Sequence, residues 1–293
     1  MKSRQRLAVI PLILLCAFAP SPQLRSKNKE SVGKSLVLNM RSRTKVAKNS
    51  DRYQVGEKRS HWNPKKTAII ICDMWAKHWC KGASRRVVEM APRMNQVITK
   101  ARKQGVLIVH CPSGGMEYYK DTPQRKLAQR APKLKTKIKL QGWCSLDSKY
   151  EAALPIDDSD GGCDCLPRCK GKVDRPQIAT LKIKPGDAIT DSAEAYYLMK
   201  QKGITNVIVM GVHTNMCVLG RPFSIRQMIY QKQNVVLMRD LTDTMYNSRM
   251  KPFVSHHRGT DLIIEHIEKF WCPTITSADI LGGTPFRFST KKP

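Results

Sequence analysis

The stretch Thr67-Ala68-Ile69-Ile70-Ile71-Cys72-Asp73 decides the fold. An unbroken apolar run of this length, closed by an acid, suits a strand buried on both faces inside a parallel sheet. Downstream, in residues 84–104, Val87, Val88, Met90, Met94, Val97, Ile98 and Ala101 recur at helical spacing, and Gly105 ends the helix. The alternation then repeats. Strands are expected at 106–110, 178–183, 207–210 and 235–238, helices at 192–202 and 217–231, and a last helix at 260–270 before 273–276 completes a sixth unit. Strands alternating with helices imply right-handed crossovers and a sheet covered on both faces. The expected fold class is α/β, a three-layer α/β/α sandwich around a mainly parallel, about six-stranded Rossmann-like sheet. Ligands in such sheets sit beyond the carboxyl ends of the strands.

Outside this pattern the chain of 293 residues is strongly basic, with 52 Lys and Arg against 23 Asp and Glu and a formal charge of +29. Such a charge invites a nucleic-acid reading, since each phosphate neutralised releases counterions. Aromatic residues are only 6% and are not interleaved with the basic runs, and no specific nucleic-acid motif appears. The beginning of the chain reads as a signal peptide over residues 1–19: Lys2, Arg4 and Arg6, an apolar run, then Ala17-Phe18-Ala19 ahead of polar sequence. The run is interrupted by Pro11 and is short for a membrane span. Export to the periplasm or the exterior is therefore expected. Residues 20–66 read as a basic arm adding at most an edge strand near 35–40, and residues 67–293 as the catalytic-type domain.

The crossover at about 112–177 is far longer than a helix requires. It contains the alternating tract Lys133-Leu134-Lys135-Thr136-Lys137-Ile138-Lys139-Leu140, which reads as an edge strand protected by lysines or as a surface for an anionic polymer. It also holds Cys163, Cys165 and Cys169. Export puts the ten cysteines where disulfides form, and loss of Cys16 with the signal leaves an odd number. The odd thiol is a packing residue, a damaged remnant or a nucleophile. The close spacing of Cys163, Cys165 and Cys169 departs from paired Cys-x-x-Cys zinc patterns, so a loop joined by disulfide to Cys144 or another thiol is the expectation, with a redox role as the rival.

Three residues fall at or after strand ends, where an α/β sheet places chemistry: Asp73, Lys184 after the third strand, and Cys217 at the start of a helix. A cysteine at a helix N-terminus beside an ammonium is favoured as thiolate, and a nearby acid can take its proton or activate water. Each alone has a duller explanation as a packing thiol or a turn cap.

Taken together, Ala68-Ile69-Ile70-Ile71-Cys72-Asp73, Lys184-Pro185 and Gly211-Val212-His213-Thr214-Asn215-Met216-Cys217-Val218 resemble the isochorismatase-like, nicotinamidase-related superfamily of cysteine hydrolases. The resemblance covers residues 67–276 apart from the long crossover. It implies Cys217 as nucleophile, Asp73 as general base and Lys184 beside both, stabilising the thiolate. It also implies a cis peptide before His213 and an oxyanion hole formed by the backbone N–H groups of His213 and Cys217. Trp75, His78, His110, Tyr118 and His213 are the candidate pocket residues.

Nicotinamidases of this family hold a metal through an Asp-x-His arrangement with a further histidine. Here the matching segment reads Asp73-Met74-Trp75-Ala76-Lys77-His78, without that spacing. No cofactor is required by this reading. A zinc-type ion shared by His78 and His110 is the alternative. The implied reaction is cleavage of an amide-type C–N bond in a small molecule. Isochorismatases, which act on a vinyl ether without needing the cysteine, keep a non-amide substrate open. Family pockets are often completed by a second subunit, which implies a homo-oligomer. The rival function is a retired hydrolase fold that binds an anionic polymer or surface through its basic segments.

Overall fold

The computed structural model describes residues 35–289; the signal segment expected at 1–19 lies outside the described residues. The segment read as a basic arm instead folds largely as a hairpin of two ten-residue strands, β1 (Leu36–Lys45) and β2 (Tyr53–Trp62). Leu36, Leu38 and Met40 of β1 alternate into the core, and this face fixes its register. A turn leads into β3 (Thr67–Cys72), whose six residues are all buried. A short β4 (Trp75–Lys77) then precedes α1 (Lys81–Lys103), which buries Val87, Met90, Ala91, Met94, Val97, Ile98 and Ala101 along one stripe. Burying an aliphatic side chain of this size stabilises by about 1.5–3 kcal/mol, so this stripe explains why α1 lies where it does. β5 (Leu107–Cys111), α2 (Pro123–Gln129), β6 (Asp174–Gln177), β7 (Ala188–Ile189) and α3 (Glu194–Gln201) follow.

The second half runs through β8 (Asn206–Val212), α4 (Cys217–Gly220), α5 (Ile225–Tyr230), β9 (Asn234–Asp243), α6 (His256–Phe270), β10 (Thr274–Ile275) and α7 (Ser277–Leu281). The single helix expected at 217–231 is thus two, interrupted where Pro222 lacks an N–H to continue the ladder.

The main sheet has the order β2-β1-β10-β9-β8-β3-β5-β7, eight strands rather than about six. Pairings from β10 to β7 are parallel, whereas β1 pairs antiparallel with both β2 and β10. Ala68, Ile70 and Cys72 face one cluster with Leu198, Met228, Ile263 and Ile267, while Ile69 and Ile71 face another with Met90, Met94 and Ile98. This is the three-layer α/β/α arrangement, with α1 and α7 on one face and α3, α5 and α6 on the other. From β3 the chain runs to β5 and β7 on one side, then returns to place β8, β9 and β10 on the other. The switch point between β3 and β8 is where a ligand crevice opens in such sheets.

Two expected strands are absent. Residues 178–183 form a turn, with the Leu181 N–H donating to the Ile178 carbonyl (3.0 Å), and the strand of the ladder is β7 instead. The tract 133–140 is irregular, held over α5 by Gln231 Nε2 donating to the Ile138 carbonyl (2.8 Å) and by Gln141 N–H donating to Gln227 (2.7 Å). All nine described cysteines are free, so the expected disulfides do not form among them. No described helix is long and apolar enough to cross a membrane.

Candidate active site

The register of the sheet builds the site. Cys72 lies opposite Cys111 on one side and Gly211 on the other, so β3, β5 and β8 end together. Gly211 is required there: its φ is +111°, and a Cβ would lie 2.1 Å from the Cys72 carbonyl oxygen. Asp73 leaves β3 in the left-handed region (φ 47°), its N–H bound to the Cys111 carbonyl (3.0 Å). This fold-back buries its carboxyl completely. Oδ1 accepts the Ser113 N–H (2.8 Å), while Oδ2 has no hydrogen-bond partner and lies 3.5 Å from Arg221 Nε.

Cys217, the first residue of α4, faces the same carboxyl and the same guanidinium. Burial pushes its thiol up to about 12; the Asp73 charge adds to this and Arg221 opposes it. Burial likewise raises Asp73 above the usual carboxylate range, against the pull of Arg221. Burial thus keeps the thiol neutral and raises the basicity of the Asp73 carboxyl, a pairing suited to proton transfer. Arg221 sits one helical turn beyond Cys217, its N–H donating to the Cys217 carbonyl (3.1 Å), and stacks under Trp143 from the long crossover at 5.7 Å.

The peptide bond Val212–His213 is cis. The His213 carbonyl accepts the N–H groups of Met216 (3.0 Å) and Val218 (3.1 Å), which shapes the turn into α4. Among the described residues, the N–H groups of His213 and Cys217 donate to no protein acceptor.

Trp75, His78 and His213 form a row. The Trp75 and His78 rings stack at 5.9 Å, and His78 meets His213 edge-on at 4.8 Å. Burial lowers His78 to about 4 and His213 to about 3, so both rings are neutral at neutral pH. The Nε2 of His213 is buried without a partner. Trp75 Nε1 donates to the Ser113 carbonyl (3.2 Å), which ties this wall to the segment that holds Asp73.

Among the described residues, no hydrogen bond or ion pair joins Lys184 to Asp73 or Cys217, and the charge that acts on both is that of Arg221. Lys184 is exposed and leads into β7 instead of leaving a strand, with its N–H on Asp187 Oδ2 (2.7 Å). Arg102, in the last turn of α1, also grips Asp187 (2.8 Å) and the Lys182 carbonyl (3.2 Å). Arg221 was missed, although its i, i+4 spacing from Cys217 was a visible signal.

Tyr118 is exposed; Tyr119 turns inward, its hydroxyl accepting the Gln177 N–H (2.8 Å). His110 is buried with Nδ1 on Gln177 Oε1 (2.8 Å) and Nε2 on Asp187 Oδ2 (3.2 Å). His78 Nδ1 accepts the Cys80 N–H (3.2 Å). These bonds occupy both His110 nitrogens and one of His78, so the pair does not suit the shared metal considered from sequence. Among the described residues, the group of ligating side chains close enough to share one ion is Cys80, Cys163, Cys165 and Cys169.

No protein-family model and no curated protein matches the chain in sequence. Among solved structures it is similar to a cysteine hydrolase from Pseudomonas syringae pv. phaseolicola 1448A, at 16% identity and a TM-score of 0.47 over 75% of this chain and 92% of that one. An isochorismatase from Pseudomonas putida KT2440 is similar at 12% identity and a TM-score of 0.45, over 74% and 91% of the two chains. N-carbamoylsarcosine amidase from Thermoplasma acidophilum is similar at 12% and 0.39, over 72% and 96%. By their descriptions these three are a cysteine hydrolase, an isochorismatase and an amidase.

Proposed function

We propose that the chain is a hydrolase that cleaves an amide-type C–N bond of a small molecule through a covalent intermediate on Cys217. The observation that carries this reading is the buried Asp73 Oδ2, without a hydrogen-bond partner and facing both the Cys217 thiol and Arg221. A buried carboxylate oxygen left unpaired is costly and finds its use in accepting a proton.

In this reading the Cys217 sulfur attacks the substrate carbonyl carbon as its proton passes to Asp73. The oxyanion is received by the N–H groups of His213 and Cys217, which lack protein acceptors. Asp73 returns the proton to the departing amine, the C–N bond breaks, and a thioester remains. Asp73 then takes a proton from water, whose oxygen displaces the sulfur and restores the thiol. Arg221, rather than Lys184, is the cation that holds the carboxylate and favours the developing thiolate. Trp75, His78 and His213 form a neutral aromatic wall suited to a flat, uncharged acyl group.

The test is a screen of small amides, ureides and carbamates against wild type and Cys217→Ala, with intact-mass trapping of the acyl adduct. Turnover and adduct are expected in wild type alone. Undiminished turnover by Cys217→Ala would remove the mechanism. Export belongs to the same proposal, and mass analysis of protein recovered outside the cytoplasm tests it by showing loss of residues 1–19.

A second reading, attachment to an anionic polymer, has the exposed Lys133, Lys135, Lys137 and Lys139 in its favour. Salt-sensitive retention on heparin that is lost when these four become glutamine is its test.

A further inference from the structure

The other chemical cluster lies at the start of α1. Cys80 is brought there by the end of β4, and Cys163, Cys165 and Cys169 by a loop more than eighty residues later in the chain. The four sulfur atoms lie within 4.8 Å of one another, and those of Cys80 and Cys165 are 3.9 Å apart. A disulfide needs about 2.0 Å. Four thiolates around a zinc ion at about 2.3 Å lie about 3.8 Å from each other in a tetrahedron. The spacing is that of ligands sharing an ion, not of bonded pairs.

The surroundings are those of thiolates. The N–H of Lys81 donates to Cys169 Sγ (3.3 Å) and that of Gly82 to Cys165 Sγ (3.2 Å), so two successive donors of the first turn of a 23-residue helix aim at sulfur. Cys80 is the N-cap residue of α1, yet its side chain makes no cap hydrogen bond and turns into the cluster. A zinc ion with four thiolates carries a net charge of about −2; Lys81, Arg168 and Lys170 are adjacent in sequence to ligands and supply compensating cations. Asp164, between Cys163 and Cys165, gives Oδ2 to Arg86 (2.9 Å), which offsets its charge, while Oδ1 lies 3.7 Å from Cys80 Sγ.

We propose that Cys80, Cys163, Cys165 and Cys169 bind one zinc ion as a structural tetrathiolate site that staples the long crossover to the beginning of α1. Residues 130–173 contain no helix or strand, and an irregular segment of that length needs a constraint to offset its ordering entropy. From the staple the loop reaches the candidate active site. Asn215, in the turn between His213 and Cys217, donates to Asp158 Oδ2 (2.6 Å), and Asn247 donates to Asp160 Oδ2 (2.8 Å). Gly162 passes so near β9's exit that a Cβ would lie 2.4 Å from the Met245 carbonyl. The ion thereby frames the pocket wall without touching Cys217. Binding releases up to four protons from the thiols and involves no change of oxidation state.

The experiment uses the full chain, purified under reducing conditions without chelator. Elemental analysis is expected to give one zinc per chain. Alkylation followed by peptide mass spectrometry should find these four thiols protected, and reactive once a chelator removes the metal. Cobalt added to the chelated wild type should give the intense visible absorption of a tetrahedral tetrathiolate. The double variant Cys165→Ser/Cys169→Ser, which changes two half-exposed positions, should lose the zinc. Sub-stoichiometric zinc with the four thiols freely alkylated, oxidised pairs without metal, or full zinc retention by the double variant would each overturn the proposal. None of these readouts depends on Cys217, so this site and the hydrolase reading fail separately.

Discussion

Replacing Arg221 by Met removes the cation 3.5 Å from Asp73 Oδ2 while keeping much of the stem that packs under Trp143. Asp73 is fully buried and the Arg221 side chain is 28% exposed, so their attraction lies between the solvent-like and protein-like limits. At this separation Coulomb's law gives about 1 kcal/mol with the permittivity of water and about 5 kcal/mol at an effective permittivity near 20. At about 1.4 kcal/mol per pH unit, Asp73 should titrate about 1 to 3.5 pH units higher in Arg221→Met. The sign follows from the charge: Arg221 stabilises the carboxylate, and its loss favours the acid. Carbon-13 labelling of aspartate side chains provides the assay, with the Asp73 resonance identified by its disappearance in Asp73→Asn. The acid limb of turnover should move upward with the titration, and Arg221→Lys should restore most of the shift. An Asp73 midpoint unchanged or lowered in Arg221→Met would refute the assignment of Arg221 as the controlling cation.

Asp73→Asn should abolish turnover yet speed alkylation of Cys217 at pH 8, because the Asp73 charge holds the thiol up. The same variant should raise the Tm at neutral pH. A carboxyl whose folded-state pKa is raised destabilises the fold above that value, and the penalty vanishes below the unfolded pKa; the gain should therefore disappear in thermal scans at acid pH. Lys184→Ala changes an exposed side chain and should leave stability within about 0.5 kcal/mol by urea denaturation and turnover within about twofold. Gly211→Ala places a Cβ 2.1 Å from the Cys72 carbonyl oxygen at a φ of +111°, and should lower stability by more than about 3 kcal/mol, read from the same denaturation.

Much of the scaffold was legible because its signals are local. The apolar run at 67–72 is a strand because its side chains have core on both faces, and Val87 to Ala101 form a helix because their spacing makes one stripe. Asp73 and Cys217 could be placed at strand ends for the same reason, since a strand's end follows from where its apolar run stops. The tract at 178–183 shows the limit of such reading. Ile178, Leu181 and Ile183 have strand-like composition, but Lys182 N–H bonds Asn95 (3.0 Å) and the segment turns. The hairpin of β1 and β2 was underestimated because its outer strand is polar and exposed, and only its pairing with an already formed sheet edge makes it regular.

By itself the sequence determined the α/β class, the central strand and the strand-end positions of the candidate residues Asp73 and Cys217, all of which depend on patterns within a dozen or so neighbouring residues. Tertiary structure alone decided that Arg221 faces Asp73, that His110 is occupied by Gln177 and Asp187, and that Cys80 meets Cys163, Cys165 and Cys169. Those meetings join residues from 67 to 148 positions apart, and they arise only when strand order and loop path bring chain segments together. Periodicity records which face of an element is buried; it carries no record of which distant side chain will be found there.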